Sequence, residues 1–337
     1  MDDDANTGAM IVPAFWGEAR LQVKHSGRSV TVRRFGWADD SQASADLHAL
    51  ERAQASLDLI LAGQPVPRRE QRTNYGVLGV PIREQIVSRH ADGVIVTRNS
   101  YGALCLNAPN VLFADVDFEP RPAGCAVTLA MAPVGLLVGL AAGLASQTWG
   151  VGAVAALATL LALHLVLSQW RRWRHAHAGG GPEARTTARI AAFVLAHPDW
   201  HLRVYRTPAG LRVLAMQRTF DPLDPEVAAC FHALGADRLY ATLCKVQRCF
   251  RARLSAKPWR AGVRSHIRPV KAAWSSDQAQ RPDRLAWIAA YEAQASAFAA
   301  CHFVESLGDT SRVDPAAQRV AELHDAMSGA FSRLPLA

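Results

Sequence analysis

The sequence contains no Asp, Glu, Lys or Arg between Pro122 and Trp170, although charged residues make up 20% of the chain. An α-helix rises about 1.5 Å per residue, so a hydrocarbon core of roughly 30 Å requires about 20 apolar residues. The uncharged run is therefore long enough for two membrane-spanning helices. Its length excludes a wholly soluble globular protein.

We predict a transmembrane hairpin within residues 122–170, with spans at residues 126–145 and 149–170. The turn between the spans is short, so the two helices must run antiparallel. Lys and Arg favour the cytoplasmic side of a membrane, and both flanks of the hairpin are basic. The flanking basic residues are Arg121, Arg171, Arg172 and Arg174. We therefore expect a two-span protein of the bacterial inner membrane with both termini in the cytoplasm.

Small residues recur at four-residue intervals in the first span, at Gly135, Gly139 and Gly143. Such a stripe lets a second helix approach closely in lipid, where there is no hydrophobic driving force between helices. The stripe predicts packing against the second span of the same chain, and the alternative is a homo-oligomer. His164 is the only ionisable side chain within the spans, and the role that we expect for it is a local hydrogen bond.

Several motifs are absent, and each absence removes a class of function. The six cysteines form no Cys-x-x-Cys pair, so we expect reduced structural thiols rather than a zinc site. The acidic start Met1–Asp4 lacks the basic and apolar regions of a secretory signal. No Walker loop, nucleophile elbow or dinucleotide fingerprint occurs, which argues against the corresponding enzymes.

Charge divides the chain into two unlike parts. Residues 1–121 contain 13 basic and 15 acidic residues, whereas the part after Trp170 contains 24 basic and 14 acidic residues. We predict an α+β domain at residues 1–121, a basic and Gly-rich linker at 171–182, and a basic α+β part at 183–337. The C-terminal part is expected to share one sheet with residues 93–118, in a ferredoxin-like or palm-like arrangement built on a split β-α-β unit.

Local patterns predict the individual elements of both parts. Alternating runs predict a β-hairpin at residues 21–35, strands within 93–118 and a second hairpin at 201–217. Capping residues and helical spacing predict helices at about 41–62, 183–196, 225–234 and 315–328. Pro282 and Gly308 predict the start and end of one long C-terminal helix.

Two acidic residues lie in a predicted strand, where alternation places Asp115 and Asp117 on the same face. Paired carboxylates at this spacing can hold Mg²⁺ or Mn²⁺ for phosphoryl transfer, because hard cations prefer oxygen ligands. The alternative is that both acids only solvate the end of the strand before the membrane.

The strand with Asp115 and Asp117, together with the hairpin Thr207-Pro-Ala-Gly-Leu-Arg212, resembles motifs of the archaeo-eukaryotic primase (prim-pol) superfamily. This resemblance implies a palm-like sheet, a divalent metal at the two aspartates and phosphate binding by Arg212. The chain departs from the family at Val213, where the family has His, and at Leu211, where it has Gly. The chain as a whole also resembles an uncharacterised class of bacterial two-helix membrane proteins, and this resemblance implies no activity.

A basic segment runs from Arg238 to Lys271 and contains ten Lys or Arg residues and no acid. Three aromatic residues are interleaved with the charges: Tyr240, Phe250 and Trp259. Cations neutralise phosphates and aromatic faces stack on bases, so nucleic acid or a nucleotide would fit. Anionic lipid headgroups and internal ion pairs are the alternatives. The candidate anion-binding residues are Arg212, Arg248, Arg251, Arg253, Lys257 and Arg260.

Two hypotheses follow from these observations. The favoured one is a non-enzymatic membrane protein whose basic cytoplasmic module binds a polyanion: nucleic acid, a nucleotide or anionic lipid. The alternative is a membrane-anchored, metal-dependent nucleotidyltransferase of the primase type. In the alternative, Asp115 and Asp117 hold the metal and Arg212 binds phosphate.

Overall fold

The computed structural model describes residues 12–25, 27–70, 80–118, 125–177, 180–270 and 272–337. At residues 28, 125–132, 171, 172, 175 and 176 only the backbone is described. The strands are β1 (Phe15–His25), β2 (Arg28–Ala38), β3 (Gln85–Arg89), β4 (Ile95–Arg98), β5 (Leu104–Ala108), β6 (Phe113–Asp117), β7 (His201–Arg206), β8 (Gly210–Ala215), β9 (Phe250–Arg253) and β10 (His302–Gly308). The helices are α1 (Gln42–Leu61), α2 (Cys125–Ser146), α3 (Trp149–His177), α4 (Gly181–Ala196), α5 (Pro225–Leu234), α6 (Arg238–Gln247), α7 (Pro282–Ala295) and α8 (Pro315–Ser328).

The chain forms two compact units, and the predicted α+β class is correct. One unit comprises residues 1–116 and 192–337 and contains the three sheets, and the other comprises residues 117–191. Strands that precede the uncharged run in sequence therefore pair with strands that follow it. This pairing places β6 beside β8 and β5 beside β9.

The first layer is the β1–β2 hairpin with α1 packed on it. The two strands pair antiparallel from Phe15 opposite Ala38 onwards. Ser41 begins α1 as its N-cap, accepting a hydrogen bond from the Ser44 N–H; the sequence left Ser41 and Asp40 open as the capping residue. A Cβ at Gly36 would lie 2.1 Å from the Ala49 backbone nitrogen, so glycine is required for this close packing.

A four-stranded sheet in the order β10-β7-β8-β6 contains the predicted split β-α-β unit. β7 and β8 pair antiparallel, and Ala215 of β8 donates its N–H to Leu112 beside β6. Arg212, three residues before Ala215 on β8, contacts Asp115, three residues after Leu112, so β6 and β8 are also antiparallel. β6 and β7 are thus parallel on either side of β8, which is the split arrangement.

The fourth strand of this sheet lies in a position that differs from the ferredoxin-like order. β10 pairs with β7, whereas a ferredoxin-like sheet would place it beside β6. The outer edge of β6 is already occupied by the start of α6. Asp237 donates its N–H to the Asp115 carbonyl at 2.9 Å, and the Tyr240 hydroxyl donates to the Phe113 carbonyl at 2.9 Å. A strand could not pair there without displacing these hydrogen bonds.

The second four-stranded sheet is antiparallel throughout, in the order β3-β4-β5-β9. Two side chains connect it to the first sheet. The Tyr240 hydroxyl also lies 3.0 Å from the Arg251 carbonyl of β9, and Arg212 of β8 donates to the Arg253 carbonyl at 3.0 Å. The predicted single shared sheet is therefore two sheets that are connected at β6, β8 and β9.

The second unit contains α2 and α3, which pack along each other. Built Cβ atoms at Gly135 and Gly139 would lie 2.5 Å from the Leu160 side chain and 2.7 Å from the Ala156 side chain. The partner residue falls in number as the glycine rises, so the two helices are antiparallel. The backbone at Gly143 likewise faces Gly152, with 3.6 Å between a built Cβ and the Gly152 Cα.

Within the described part of the chain, one helix is long and apolar enough to cross a membrane. This segment is Trp149–Trp170, with 22 residues and a mean hydropathy of 2.2. The described apolar stretch of α2, Pro133–Ser146, is shorter.

Two predicted boundaries are wrong. α7 ends at Ala295 instead of Gly308, because His302–Gly308 pairs with β7 and long-range pairing prevails over the local helical signal. The start of the predicted linker is helical, since α3 continues to His177, and Pro182 already lies in α4. Arg121, residues 178–179 and Lys271, which the sequence analysis used, lie outside the described residues.

Candidate functional site

The Asp115 carboxylate forms an ion pair with Arg212. Arg212 Nε donates to Oδ1 at 2.7 Å and Nη2 donates to Oδ2 at 3.2 Å. Arg212 is 1% exposed, so its guanidinium is not open to a phosphate in this structure. Burial opposes the charge of Arg212, but the Asp115 carboxylate outweighs burial and raises the pKa of Arg212 above its ordinary value. The geometry favours an internal ion pair over a metal ligand and a phosphate clamp.

Further buried polar groups extend this ion pair. His324 Nε2 lies 3.3 Å from Arg212 Nη1, and its Nδ1 lies 3.0 Å from Asp325, which pairs with Arg203 at 2.6 Å. Burial lowers the pKa of His324 despite the hydrogen bond with Asp325, so the imidazole is neutral at pH 7. We call Asp115, Arg203, Arg212, His324 and Asp325 the paired cluster. It contains two arginines and two aspartates.

The other half of the predicted metal pair, Asp117, is the exposed last residue of β6. Among the described residues, no group of three or more His, Cys, Asp or Glu side chains could hold a metal ion. The metal prediction at Asp115 and Asp117 therefore has no third ligand in that part of the chain.

The basic segment is divided between buried and exposed positions. Arg251 on β9 pairs with buried Glu84 at 2.6 Å; burial opposes its charge, but Glu84 raises its pKa above the ordinary value. Arg253 of the same strand is half-buried. Arg248 is exposed and ends α6 with a positive φ of 49°. Lys257 and Arg260 are half-exposed.

The three aromatic residues of this segment also differ in exposure. Phe250 is fully buried, and the hydroxyl of Tyr240 is used between the two sheets. Trp259 is 56% exposed, and its ring centroid lies 5.3 Å from that of Tyr101. Trp259 is therefore the aromatic residue of the segment that remains open to a ligand.

A different set of arginines lines a pocket between the β3–β4 sheet and the start of α7. The cavity has a volume of about 30 Å³, room for about two groups of the size of a water molecule or a phosphate oxygen, and it is open to solvent. Its lining includes Arg83, Arg98, Arg284, Asn99, Trp274 and Gln278. We call this the arginine pocket. Its polar groups come from segments up to about 200 residues apart in sequence.

Arg284 is the unusual member of the pocket. It is 5% exposed and donates to two neutral acceptors: the Arg268 carbonyl at 3.1 Å and Gln85 Oε1 at 2.8 Å. Its guanidinium lies 5.0 Å from the centroid of the Trp274 ring. In the described part of the chain, no carboxylate forms an ion pair with it and its Nε has no hydrogen-bond partner. The positive charge of Arg284 is thus buried without an acid to balance it.

Arg98 brings a second buried guanidinium to the pocket. It is 5% exposed, donates to the Gly102 carbonyl at 2.9 Å and forms an ion pair with Glu292 at the protein surface. Burial, and then the nearby charge of Arg98, lower the pKa of Arg284 to about 10. Arg284 therefore remains charged at neutral pH and gives the pocket a positive charge.

Among the described residues that line this pocket, Glu84 is the acid, and its carboxylate already has partners. Its Oε2 accepts from Arg251 and from the Thr97 hydroxyl, both at 2.6 Å. Glu84 therefore compensates Arg251 rather than Arg284. A bound anion would supply the missing compensation, and guanidinium groups suit phosphate oxygens in geometry and charge.

Sequence reasoning missed the arginine pocket. Arg83 and Arg98 lie in the acidic N-terminal part, and Arg284 follows Pro282 in a segment that also contains acids. No local charge run marks them. No sequence signal marks Arg284, because its burial at the start of α7 is recognised only in the tertiary structure.

No protein-family model matches the chain, and neither the curated proteins nor the solved structures include a match. The primase resemblance therefore stays a prediction.

Proposed function

We propose that the protein is a two-span membrane protein whose α+β unit binds a phosphate-bearing anion in the arginine pocket. The observation that carries this proposal is Arg284, a 5% exposed guanidinium whose charge has no carboxylate partner among the described residues. A buried uncompensated charge is costly, so such a group is retained where a ligand completes it. The pocket thus acts as a binding site, with no catalytic group required.

The surface of the α2–α3 hairpin supports the membrane part of the proposal. Large apolar side chains on both helices are more than 60% exposed, and no charged residue lies between Pro122 and Trp170. Examples are Leu136, Leu137, Leu144, Val154, Leu157 and Leu161. An apolar surface of this extent suits lipid tails. The backbone of α2 spans 22 residues, which is also enough to cross the hydrocarbon core.

The glycine stripe supports a hairpin within one chain. Gly135, Gly139 and Gly143 face α3; Cβ atoms at Gly135 and Gly139 would collide with it, and one at Gly143 would make ordinary contact. The same glycines cannot serve a second copy while they are covered by α3. Trp149 and Trp170 lie at the ends of the α3 span, where interfacial Trp is favoured. The arginines after Trp170 favour a cytoplasmic location for that end.

Cysteine accessibility tests the membrane part. Gln147→Cys places a thiol in the turn between the helices, and Ser311→Cys places a matched thiol in the α+β unit. With a membrane-impermeant maleimide on intact bacterial spheroplasts, Gln147→Cys should be labelled and Ser311→Cys should react only after lysis. Labelling of both positions only after lysis, with the protein in the soluble fraction, would contradict the proposal.

Titration with inorganic pyrophosphate tests the pocket. Isothermal titration of the detergent-solubilised full chain should show binding that weakens at least tenfold in Arg284→Gln, because a charge-assisted hydrogen bond contributes about 1.5–3 kcal/mol. Arg319→Gln is the matched control, since Arg319 pairs with Asp92 at 2.7 Å outside the pocket. Equal affinity in both variants, or no binding to the unaltered chain, would contradict the proposal.

A second arm of this experiment separates two sources of the phosphate group. Vesicles of zwitterionic lipid are compared with vesicles that contain an anionic phospholipid, for wild type and Arg284→Gln. Binding that requires both the anionic lipid and Arg284 would identify a headgroup. Binding of soluble phosphate compounds without vesicle dependence would identify a free ligand.

We do not propose nucleotidyl transfer as the function. Both Asp115 oxygens accept hydrogen bonds from Arg212, so a metal there would have to displace a buried guanidinium.

A further inference from the structure

The aromatic pair of half-buried Tyr101 and exposed Trp259 lies close to the lining of the arginine pocket. Ser100 lines the pocket, and the next residue, Tyr101, packs against Trp259 with ring centroids 5.3 Å apart. Consecutive Cα atoms are about 3.8 Å apart, so the aromatic pair begins one residue from the pocket.

Local hydrogen bonds hold the turn that presents Tyr101. The Asn99 side-chain oxygen accepts from the Tyr101 and Ala103 N–H groups at 3.2 and 3.0 Å. Gly102 has a φ of +101° and a built Cβ there would lie 2.3 Å from the Trp287 ring, so the turn is packed tightly. Tyr101 is therefore held in place before any ligand binds.

Trp259 is held in a similar way while its ring stays exposed. The Arg260 and Ala261 N–H groups donate to the Lys257 carbonyl at 2.8 and 3.1 Å, which forms a turn with Trp259 at its tip. The Lys257 ammonium lies 5.4 Å from the Trp259 ring centroid. An exposed Trp on a hydrogen-bonded turn, with a cation at its face, has no role in the core. It offers a flat apolar surface beside positive charge.

The segment that carries Trp259 also forms a wall of the pocket. Ile267 and Pro269 line the pocket, and the Arg268 carbonyl accepts from Arg284. The Ser265 carbonyl accepts from the Trp287 ring N–H at 3.0 Å, which fixes the segment to α7. The turn that carries Trp259 and the wall of the arginine pocket thus belong to one continuous segment that is fixed to α7.

We infer that the ligand of the arginine pocket is a nucleoside phosphate, with its phosphates beside Arg98 and Arg284 and its base stacked on Trp259. This inference rests on the proposed phosphate-binding function. A base has a π-face that stacks on an aromatic side chain, and such stacking contributes about 1–3 kcal/mol per base. A lipid headgroup or inorganic phosphate has no group that would use the exposed ring in this way.

Comparison of ADP with inorganic pyrophosphate tests the inference, because both present a diphosphate and only ADP has a base. Isothermal titration should show that ADP binds at least about fivefold more tightly than pyrophosphate, the lower end of the stacking contribution. Trp259→Ala should remove this difference and leave pyrophosphate binding unchanged. Trp259→Phe should keep most of it.

Controls separate failure of this inference from failure of the proposed function. Phe331→Ala removes an aromatic side chain that is 67% exposed elsewhere, and it should change neither affinity. Arg284→Gln should weaken both ligands. Equal affinities for ADP and pyrophosphate, unaffected by Trp259→Ala, would overturn the inference of a nucleoside phosphate. They would not contradict the proposed binding of an anion in the arginine pocket. Absence of binding by either ligand, or Arg284-dependent binding of anionic vesicles alone, would overturn the nucleoside phosphate as well.

Discussion

Arg212 and Arg284 are both almost fully buried, at 1% and 5% exposure, but their surroundings differ. Arg212 belongs to the paired cluster, in which Asp115 and Asp325 balance Arg212 and Arg203. Arg284 lies in the arginine pocket with neutral acceptors only, in the described part of the chain. The comparison indicates that the presence of an acid, rather than the arginine itself, distinguishes a structural cation from one that awaits a ligand.

The pKa values express the same difference. Burial acts against the charged form of both arginines. At Arg212 the Asp115 carboxylate more than offsets burial and the pKa rises, whereas at Arg284 the charge of Arg98 adds to burial and the pKa falls to about 10. An anion bound beside Arg284 would raise the pKa of Arg284, as the Asp115 carboxylate raises the pKa of Arg212.

The largest expected effect is on the stability of the paired cluster. Arg212→Met should lower the free energy of unfolding by about 3–5 kcal/mol, because it leaves the Asp115 carboxylate beside a buried apolar side chain. Urea denaturation in detergent would measure this. Arg212→Met combined with Asp115→Leu removes both charges and should recover part of the loss. A decrease below about 1 kcal/mol for the single variant would show that the pair is not structural.

Anion binding in the pocket should depend on the protonation of Arg284. The free protein has a pKa of about 10 at Arg284, and a bound anion favours the charged form. Affinity should therefore be constant near neutral pH and fall by up to about tenfold per pH unit above pH 10.

Sulfate is a suitable probe for this pH dependence, since its charge does not change in the alkaline range. Titrations between pH 8 and pH 11 should show the fall for wild type and for Arg319→Gln. A flat profile for wild type would indicate that another group binds the anion.

His324 in the paired cluster should make stability sensitive to acid. Its pKa in the native protein is lower than its ordinary value of 6.5, so just below pH 6.5 the unfolded state binds more protons. The free energy of unfolding should decrease as pH falls through this range, by up to about 1.4 kcal/mol per pH unit. His324→Gln should reduce this slope, measured by urea denaturation at pH 5, 6 and 7. An unchanged slope would assign the acid sensitivity to other groups.

The smallest expected effect on stability is at the pocket itself. Arg284→Met removes a buried charge that lacks an acid, so the free energy of unfolding should change by no more than about 1 kcal/mol or should increase. The hydrogen bonds to Gln85 and Arg268 that are lost act in the opposite direction. A decrease of 3 kcal/mol or more would place Arg284 with Arg212 as a structural residue.

The elements that the sequence predicted well are those with local signals. Ser41 caps α1, Pro225 begins α5 and Pro315 begins α8, as expected from N-terminal signals alone. β10 was predicted as helix, because its strand character depends on pairing with β7, about 100 residues earlier. The position of β10 beside β7 depends in turn on the α6 contacts that cover β6.

The site was predicted less well than the fold for a related reason. The charge density of the basic segment predicted an anion-binding surface, but Arg251 in this segment pairs with Glu84, 167 residues earlier. Arg284 gave no signal, since a cation becomes unusual only when its burial and the absence of an acid are both known. A sequence shows the charges, whereas their pairing is a property of the fold.

The most direct test measures the free energy of unfolding of wild type, Arg284→Met and Arg212→Met with and without inorganic pyrophosphate. A ligand at 100 times its Kd stabilises the native state by about 2.7 kcal/mol. The account predicts this increment for wild type and for the weakened Arg212→Met, and its loss in Arg284→Met, whose basal stability is near that of wild type. The same increment in all three proteins, or none in wild type, would contradict it.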